Sequence, residues 1–446
     1  MSAPGTDMHT LAALVLALVV AMPGCKRSAE PGAENRDTTG DSGDTDDPSA
    51  PQPDPVAPAP QPDDPLAARG RALIDQFECQ RCHDGTGAPA VARDKHCVRC
   101  HQDILAGTFE TEPELLAEWQ RNITSLVAVP SLVAVDRRFT RSWVRDQLMR
   151  PVDHRPDLVA VMPRLAISPE QAEAIAAHLV PDDPAAAAAP GLSSDRIAAG
   201  RALYQDLGCA SCHTFSRVVP RAADGRYTIL PGAERVTQPA PLAIALAPDL
   251  ALTRTRVQPA RLAAWLADAP AIKPDTLMPK LALSGDQAGD LAAFIMLAPV
   301  APPPEPRPFK RLPVLKRDVG YDEVAERVLR KICWHCHSSP DYARGDGGPG
   351  NTGGFGFPGR GLDLSEYSTV TKGSLGDDGR RRSVFGELDS GPLAGTPRLL
   401  AHLLARHIEQ SGGQVPGIRG MPLGLPALPA EDIQLIESWI AQGRPR

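Results

Sequence analysis

The chain has 446 residues, enough for about three or four domains, and its 42% hydrophobic and 23% charged residues exclude both a wholly disordered chain and a polytopic membrane protein. Aromatic residues are only 4% against 47 Pro and 38 Gly, so the cores have few large side chains and leave room for a non-protein group. The net charge of -7 is local: residues 26–65 hold ten Asp/Glu against three Lys/Arg, whereas residues 66–446 carry 43 acids and 44 bases, a balance with no basic surplus for nucleic acid.

Leu11 to Met22 is an apolar run of twelve residues, the length of a signal-peptide core and too short to span a bilayer. Met22-Pro23-Gly24-Cys25 follows it and resembles a bacterial lipobox, although Met22 and Pro23 depart from the usual residues and the n-region has Asp7 and no Lys or Arg. The expectation is a lipoprotein signal peptide over 1–25 with lipid on Cys25; a cleaved soluble signal and an uncleaved anchor are the alternatives. Each of these puts the body outside the cytoplasm. Residues 26–65 contain nine prolines and almost no aliphatic side chains, and are expected to be a disordered tether.

Eight of the nine cysteines then fall in four copies of one pattern: Cys79-Gln80-Arg81-Cys82-His83, Cys97-Val98-Arg99-Cys100-His101, Cys209-Ala210-Ser211-Cys212-His213 and Cys333-Trp334-His335-Cys336-His337. Two of them sit in a longer repeat. Gly70-Arg71-Ala72-Leu73 and Gly200-Arg201-Ala202-Leu203 begin nine residues before Cys79 and Cys209, and Met162-Pro163-Arg164-Leu165 matches Met278-Pro279-Lys280-Leu281. Capping boxes at Ser168-Pro169-Glu170-Gln171 and Ser284-Gly285-Asp286-Gln287 then open a closing helix. A third unit follows the order loosely, with a helix Tyr321 to Ile332, Met421-Pro422, a helix Arg398 to Gln410, and a last helix Glu431 to Gln442. Alanine- and proline-rich linkers at 181–193 and 299–313 separate the units, giving expected domains at 66–180, 194–298 and 314–446. The first unit is longer between its motif His and its Pro-x-Leu turn (His83 to Pro130) than the second (His213 to Pro248), and the Cys97 motif lies inside that insertion.

Cys-x-x-Cys-His is the attachment sequence of c-type haem: two thiols one helical turn apart add to the two vinyl groups, and the following His becomes the proximal iron ligand. Four covalent haems are therefore expected, on Cys79/Cys82 with His83, Cys97/Cys100 with His101, Cys209/Cys212 with His213, and Cys333/Cys336 with His337. A zinc site is the competing reading at one place, because fourteen residues separate the Cys79 pair from the Cys97 pair. A thioether on the opposite side of the iron favours ferrous iron and closes the metal to substrate, and Met162, Met278 and Met421 stand before Pro in the right place for it.

The order helix, Cys-x-x-Cys-His, Pro-x-Leu turn, Met-Pro and terminal helix resembles a class I cytochrome c domain, three times over most of residues 66–446. The resemblance implies an all-α fold, first and last helices crossing, and one-electron transfer. Gly70 and Gly200 would permit the crossing, with Phe294 as aromatic partner in the second unit and His178 as packing in the first. The Cys97 haem has no partner from the repeat: His154 leads, with His96, Met149 or a ligand from another domain as alternatives. His335, His402 and His407 are expected at the surface or in packing, Gly354 to Gly359 as a glycine-rich loop near the third haem, and Arg380-Arg381-Arg382 as a solvated loop. The function expected is an extracytoplasmic, membrane-tethered electron carrier whose partners are redox proteins or a membrane respiratory complex. An enzyme with an open iron at the Cys97 haem, peroxidase-like or reducing a small molecule, and a fixed electron-transfer subunit of a respiratory complex are its rivals.

Overall fold

The computed structural model describes residues 64–155, 158, 161–181, 193–216, 241–301, 308–338 and 350–446. The chain divides into a unit ending at Ala59 and a unit from Pro60 to Arg446, and every described residue belongs to the second. Cys25, the expected signal peptide and nearly all of the expected tether lie outside the described residues. Among the described residues no helix is long and apolar enough to cross a membrane.

The fold is all-α, with two short two-stranded ribbons. Helix α1 (Pro65–Gln76) begins where Asp64 accepts a hydrogen bond from the Leu66 amide and Pro65 takes the first helical position, so the helix starts inside the last residues of the expected tether. A single 3-10 turn (Cys79–Arg81) carries the first cysteine motif, followed by α2 (Cys97–Ala106), α3 (Pro113–Asn122), α4 (Arg141–Met149) and α5 (Pro169–Leu179). The next segment repeats the scheme with α6 (Ser194–Asp206), a 3-10 turn at Cys209–Ser211, α7 (Pro241–Leu246), α8 (Pro259–Ala267), α9 (Ala269–Ile272) and α10 (Gly285–Leu297). Both expected capping boxes form, Ser168 with Gln171 and Ser284 with Gln287.

In the last segment α11 (Tyr321–Val324) widens into a π-helical stretch, Ala325–Cys333, that delivers the third-segment motif; such winding is rare and concentrates at functional sites. Ribbon strands β1 (Gly353–Gly354) and β2 (Phe357–Pro358) pair antiparallel, then α12 (Tyr367–Val370), and β3 (Ser374–Leu375) pairs with β4 (Arg381–Arg382). The expected loop at Arg380–Arg382 is thus a strand in part, with exposed side chains on Arg381 and Arg382. Helix α13 (Arg398–Gln410) has the expected bounds, and α14 (Ala430–Ala441) lies one residue ahead of its expected span.

Three hydrophobic clusters form the interior. One runs from Leu73 to Val180, one from Leu203 to Ala298, and one from Val319 to Trp439, each within a single expected segment. Only the third has a Trp at its centre, where Trp439 is fully buried among Tyr321, Tyr367 and Phe385. In the first two, α1 crosses α5 and α6 crosses α10 so closely that a side chain on Gly70 would overlap the Ala174 carbonyl, and one on Gly200 the Asp290 carbonyl. The residue beside each glycine is equivalent too. His178 Cβ lies 2.9 Å from where a Gly70 Cβ would be, and Phe294 Cβ 2.8 Å from its Gly200 counterpart. His178 is buried, with Nε2 3.4 Å from the Thr86 carbonyl, as expected of a packing residue.

The segments are stitched to one another. Asp249 N–H donates to the His154 carbonyl at 2.7 Å, and Thr140 N–H to the Arg256 carbonyl at 3.3 Å. The Phe355 amide donates to the Glu78 carboxylate at 3.1 Å, Arg81 lies over the Phe355 ring, and Gly356 leaves room for Phe77. The glycine-rich loop therefore packs against the first cysteine motif while also standing by the third, where it was expected: Gly350, just ahead of it, lies against the His337 ring, and Arg419 lies over Phe357. Its contact explains an oddity of the repeat. Glu78 holds the left-handed conformation (φ 53°) that Gly208 holds at the aligned position, and the carboxylate that docks the loop is what glycine lacks.

Candidate functional site

Each cysteine pair sits on one turn of helical backbone. The amides of His83, His213 and His337 donate to the carbonyls of Cys79, Cys209 and Cys333 at 3.0, 2.9 and 3.0 Å, closing the turn that sets both thiols on one side. The Cys97 motif is the first turn of α2, with the His96 side chain accepting from the Arg99 amide at its start. None of these eight cysteines is in a disulfide, and all are partly buried. Burial pushes Cys79 up to about 11 and Cys209 and Cys333 up to about 12, so they remain protonated. Cys82 is raised first by the neighbouring Cys97 thiol and then by burial. Among the described residues no group of three or more His, Cys, Asp or Glu side chains converges as a metal-ion site, so Cys79, Cys82, Cys97 and Cys100 do not assemble as the tetrathiolate the competing reading requires.

Two of the four motif histidines, His83 and His213, are oriented by backbone carbonyls, whereas His101 Nδ1 and His337 Nδ1 are buried without a well-formed hydrogen bond. His83 Nδ1 is 2.8 Å from the Pro130 carbonyl and His213 Nδ1 2.9 Å from that of Pro248, which makes Nδ1 the donor and leaves Nε2 with its lone pair, the form that binds a metal. The same turns return to the motif, as the Leu132 amide donates to the Asp84 carbonyl and the Leu250 amide to the Thr214 carbonyl. A third copy, absent from the sequence reading, is Leu362-Asp363-Leu364: the Leu364 amide donates to the His337 carbonyl at 2.7 Å, and the Leu362 backbone lies beside the His337 ring. Leu in place of Pro hid it.

Burial holds these imidazoles neutral. His83 and His213 are lowered chiefly by desolvation, and His101, His154 and His337 are pushed down to about 4 for the same first reason. Against an unfolded value of about 6.5, the unfolded chain takes up protons that the fold refuses between pH 6.5 and 4. The haem-free polypeptide is therefore expected to keep this contribution above about pH 6.5 and to lose it progressively as the pH falls towards 4. Its urea midpoint should drop across that window; a midpoint unchanged from pH 7 to pH 5 contradicts the burial.

The methionines expected as distal ligands all stand at the edge of a core cluster: Met162 in the first, Met278 in the second, Met421 in the third. Trp265 Nε1–H donates to Met278 Sδ at 3.0 Å. The Met421 amide donates to the His402 carbonyl at 2.9 Å. His402 was expected at the surface or in packing. It is half-buried, with Nδ1 2.7 Å from the Arg419 carbonyl, and it lies close enough to His337 to help lower that residue's pKa. His407 is packing, stacked on Phe309 at 3.7 Å with Nε2 2.8 Å from the Leu428 carbonyl.

Around the Cys97 motif, His101 has Nδ1 buried without a well-formed hydrogen bond, although the backbone of Ser125 and Leu126 passes beside the ring. The ring that faces it is His335, 6.4 Å away between centroids. His154 stands elsewhere, against Trp143 and the Asp249 turn of the second segment, with both ring nitrogens buried and without a hydrogen-bond partner. His96 lies 3.6 Å from the Asp84 carboxylate, and Met149 packs on the first cluster.

Sequence reading also missed a pair of cations. Arg138 and Arg256 follow Pro130 and Pro248 by the same number of residues. Both are pushed down to about 10, mainly by burial, and Arg256 Nε has no hydrogen-bond partner. A buried guanidinium with an unsatisfied donor fits an anionic group of a bound cofactor, such as a haem propionate. The equal spacing from the two prolines was the signal that would have found them.

Compared with protein-family models, with curated proteins and with solved structures, the chain matches none of them.

Proposed function

We propose that this chain is a tetrahaem c-type cytochrome of three class I-like domains, an extracytoplasmic electron carrier tethered to a membrane through lipid on Cys25. The observation that supports this best is the pair of Nδ1-to-proline-carbonyl hydrogen bonds at His83 and His213, each on a helical turn that aligns two free thiols. That combination suits a thioether-attached haem: the thiols hold the ring, the imidazole offers Nε2 to iron, and the buried arginines suit the propionates. Haem, when bound, supplies an iron that gains and loses one electron.

The chain's own residues do the rest. The Pro130 and Pro248 carbonyls fix the tautomer and aim of the proximal rings, and Met162, Met278 and Met421 are the distal ligands of this reading. For the third haem, His402 is a second distal candidate, because its Nδ1 is held by a carbonyl in the way of His83 and His213. Axial ligands that stay in place keep rearrangement small during electron transfer, which suits a carrier. Redox proteins or a membrane respiratory complex are the partners of this reading.

Protein matured in a host able to attach haem is expected to give four haems per chain by pyridine haemochrome and by intact mass. Two haems per chain, with Cys79 to Cys100 unmodified, would favour disulfides or a metal in the first segment. A colourless protein ends the proposal.

A further inference from the structure

The geometry points to His335, in the middle of the third-segment motif, as the second axial ligand of the iron held by Cys97, Cys100 and His101, so that one residue of the last segment closes a haem of the first. This rests on the haem reading above. The His101 and His335 rings have centroids 6.4 Å apart and planes inclined at 51°. Rings in direct contact have centroids roughly 4.5–7 Å apart, and two imidazoles bonded to opposite sides of one metal at about 2 Å each have centroids roughly 6 Å apart. The observed separation is that of a direct ring contact and also leaves the two rings at the spacing a shared metal would need.

Other observations agree. His101 belongs to the one motif with no partner from the repeat, and His335 is the ring that lies beside it. Trp334 meets His335 edge-on at 5.8 Å and steadies its orientation. The docking of the last segment on the first, through Phe355, Glu78 and Arg81, holds the two motifs together independently of either histidine. His154, the ligand expected from sequence, lies instead beside Asp249 and Trp143, and no contact brings it to His101 among the described residues.

Two consequences follow. An iron with imidazole on both sides is closed, which removes the open site an enzyme would need. His335 is also peptide-bonded to Cys336, which would hold the third-segment haem, so the ligand of one haem would lie one residue from the attachment point of the next.

The test uses the full chain, matured with haem, in four forms: wild type, His335→Ala, His335→Met, and His335→Ala combined with Cys97→Ala and Cys100→Ala. Wild type is expected to bind no cyanide at the Cys97 haem and to show a bis-imidazole low-spin signal in electron paramagnetic resonance. His335→Ala should keep four haems, lose that signal and bind cyanide at one further haem per chain. His335→Met should stay low-spin with one potential raised, which covers the case in which His335→Ala matures poorly. In the background without Cys97 and Cys100, His335→Ala should change nothing. Four haems with an unmoved His335→Ala spectrum, or a change that persists in that background, overturns this assignment alone. Three haems with Cys97 unmodified, or none, overturns both it and the haem reading.

Discussion

Gly200→Ala is expected to be the most damaging single substitution in the second segment, destabilising it by about 3 kcal/mol or more. Overpacking of a core by a methyl group typically costs about 1–3 kcal/mol, and here the added carbon meets the Asp290 backbone carbonyl, which cannot move without shifting α10. Gly70→Ala should do the same through Ala174. Gly285→Ala is the control, since nothing lies near its Cβ position, and it should be neutral or stabilising by up to about 1 kcal/mol. Thermal unfolding followed by circular dichroism distinguishes them. Equal melting temperatures for Gly200→Ala and wild type would mean that α6 and α10 do not cross as described.

Met278→Ala is expected to have the largest effect on the proposed chemistry without changing haem content, because the thioether bonds at Cys209 and Cys212 are untouched. Loss of the soft ligand should turn one haem from low-spin to high-spin and lower its potential by on the order of 0.1 V, within the range that axial ligands command. Trp265→Phe, which removes the hydrogen bond to Met278 Sδ in the haem-free chain, should leave the spin state unchanged. A Met278→Ala protein with an unaltered ferric spectrum would exclude Met278 as a ligand. The parallel pair Met421→Ala and His402→Ala decides the third segment, since only loss of the true ligand opens that iron.

Much of the fold was legible because its signals are local. The capping boxes at Ser168 and Ser284 declare a helix start within four residues, and the bounds of α13 follow from apolar spacing alone. Gly70 and Gly200 were expected at crossing points because the resemblance to a class I cytochrome c domain implies such a crossing, and the repeat placed a glycine at the same position in two units. What stayed hidden had weak or missing local marks: Leu362 passes beside the His337 ring where proline stands in the other two turns, and Arg138 and Arg256 are charged residues in a chain full of them. The glycine-rich loop carried no mark of its docking partner, which lies 277 residues away.

From the sequence came the repeat and the four cysteine motifs and, through the resemblance to a class I cytochrome c domain, the all-α class and the first two helical crossings, since caps and the Cys-x-x-Cys-His turn are written over a few consecutive positions. Only the tertiary structure decided that His335 faces His101, that His154 sits by Asp249, that His402 is half-buried beside the third motif, and that Glu78 clasps Phe355. These pairings join side chains from distant stretches of chain, and they depend on how whole surfaces fit together, a property that no spacing along the chain encodes.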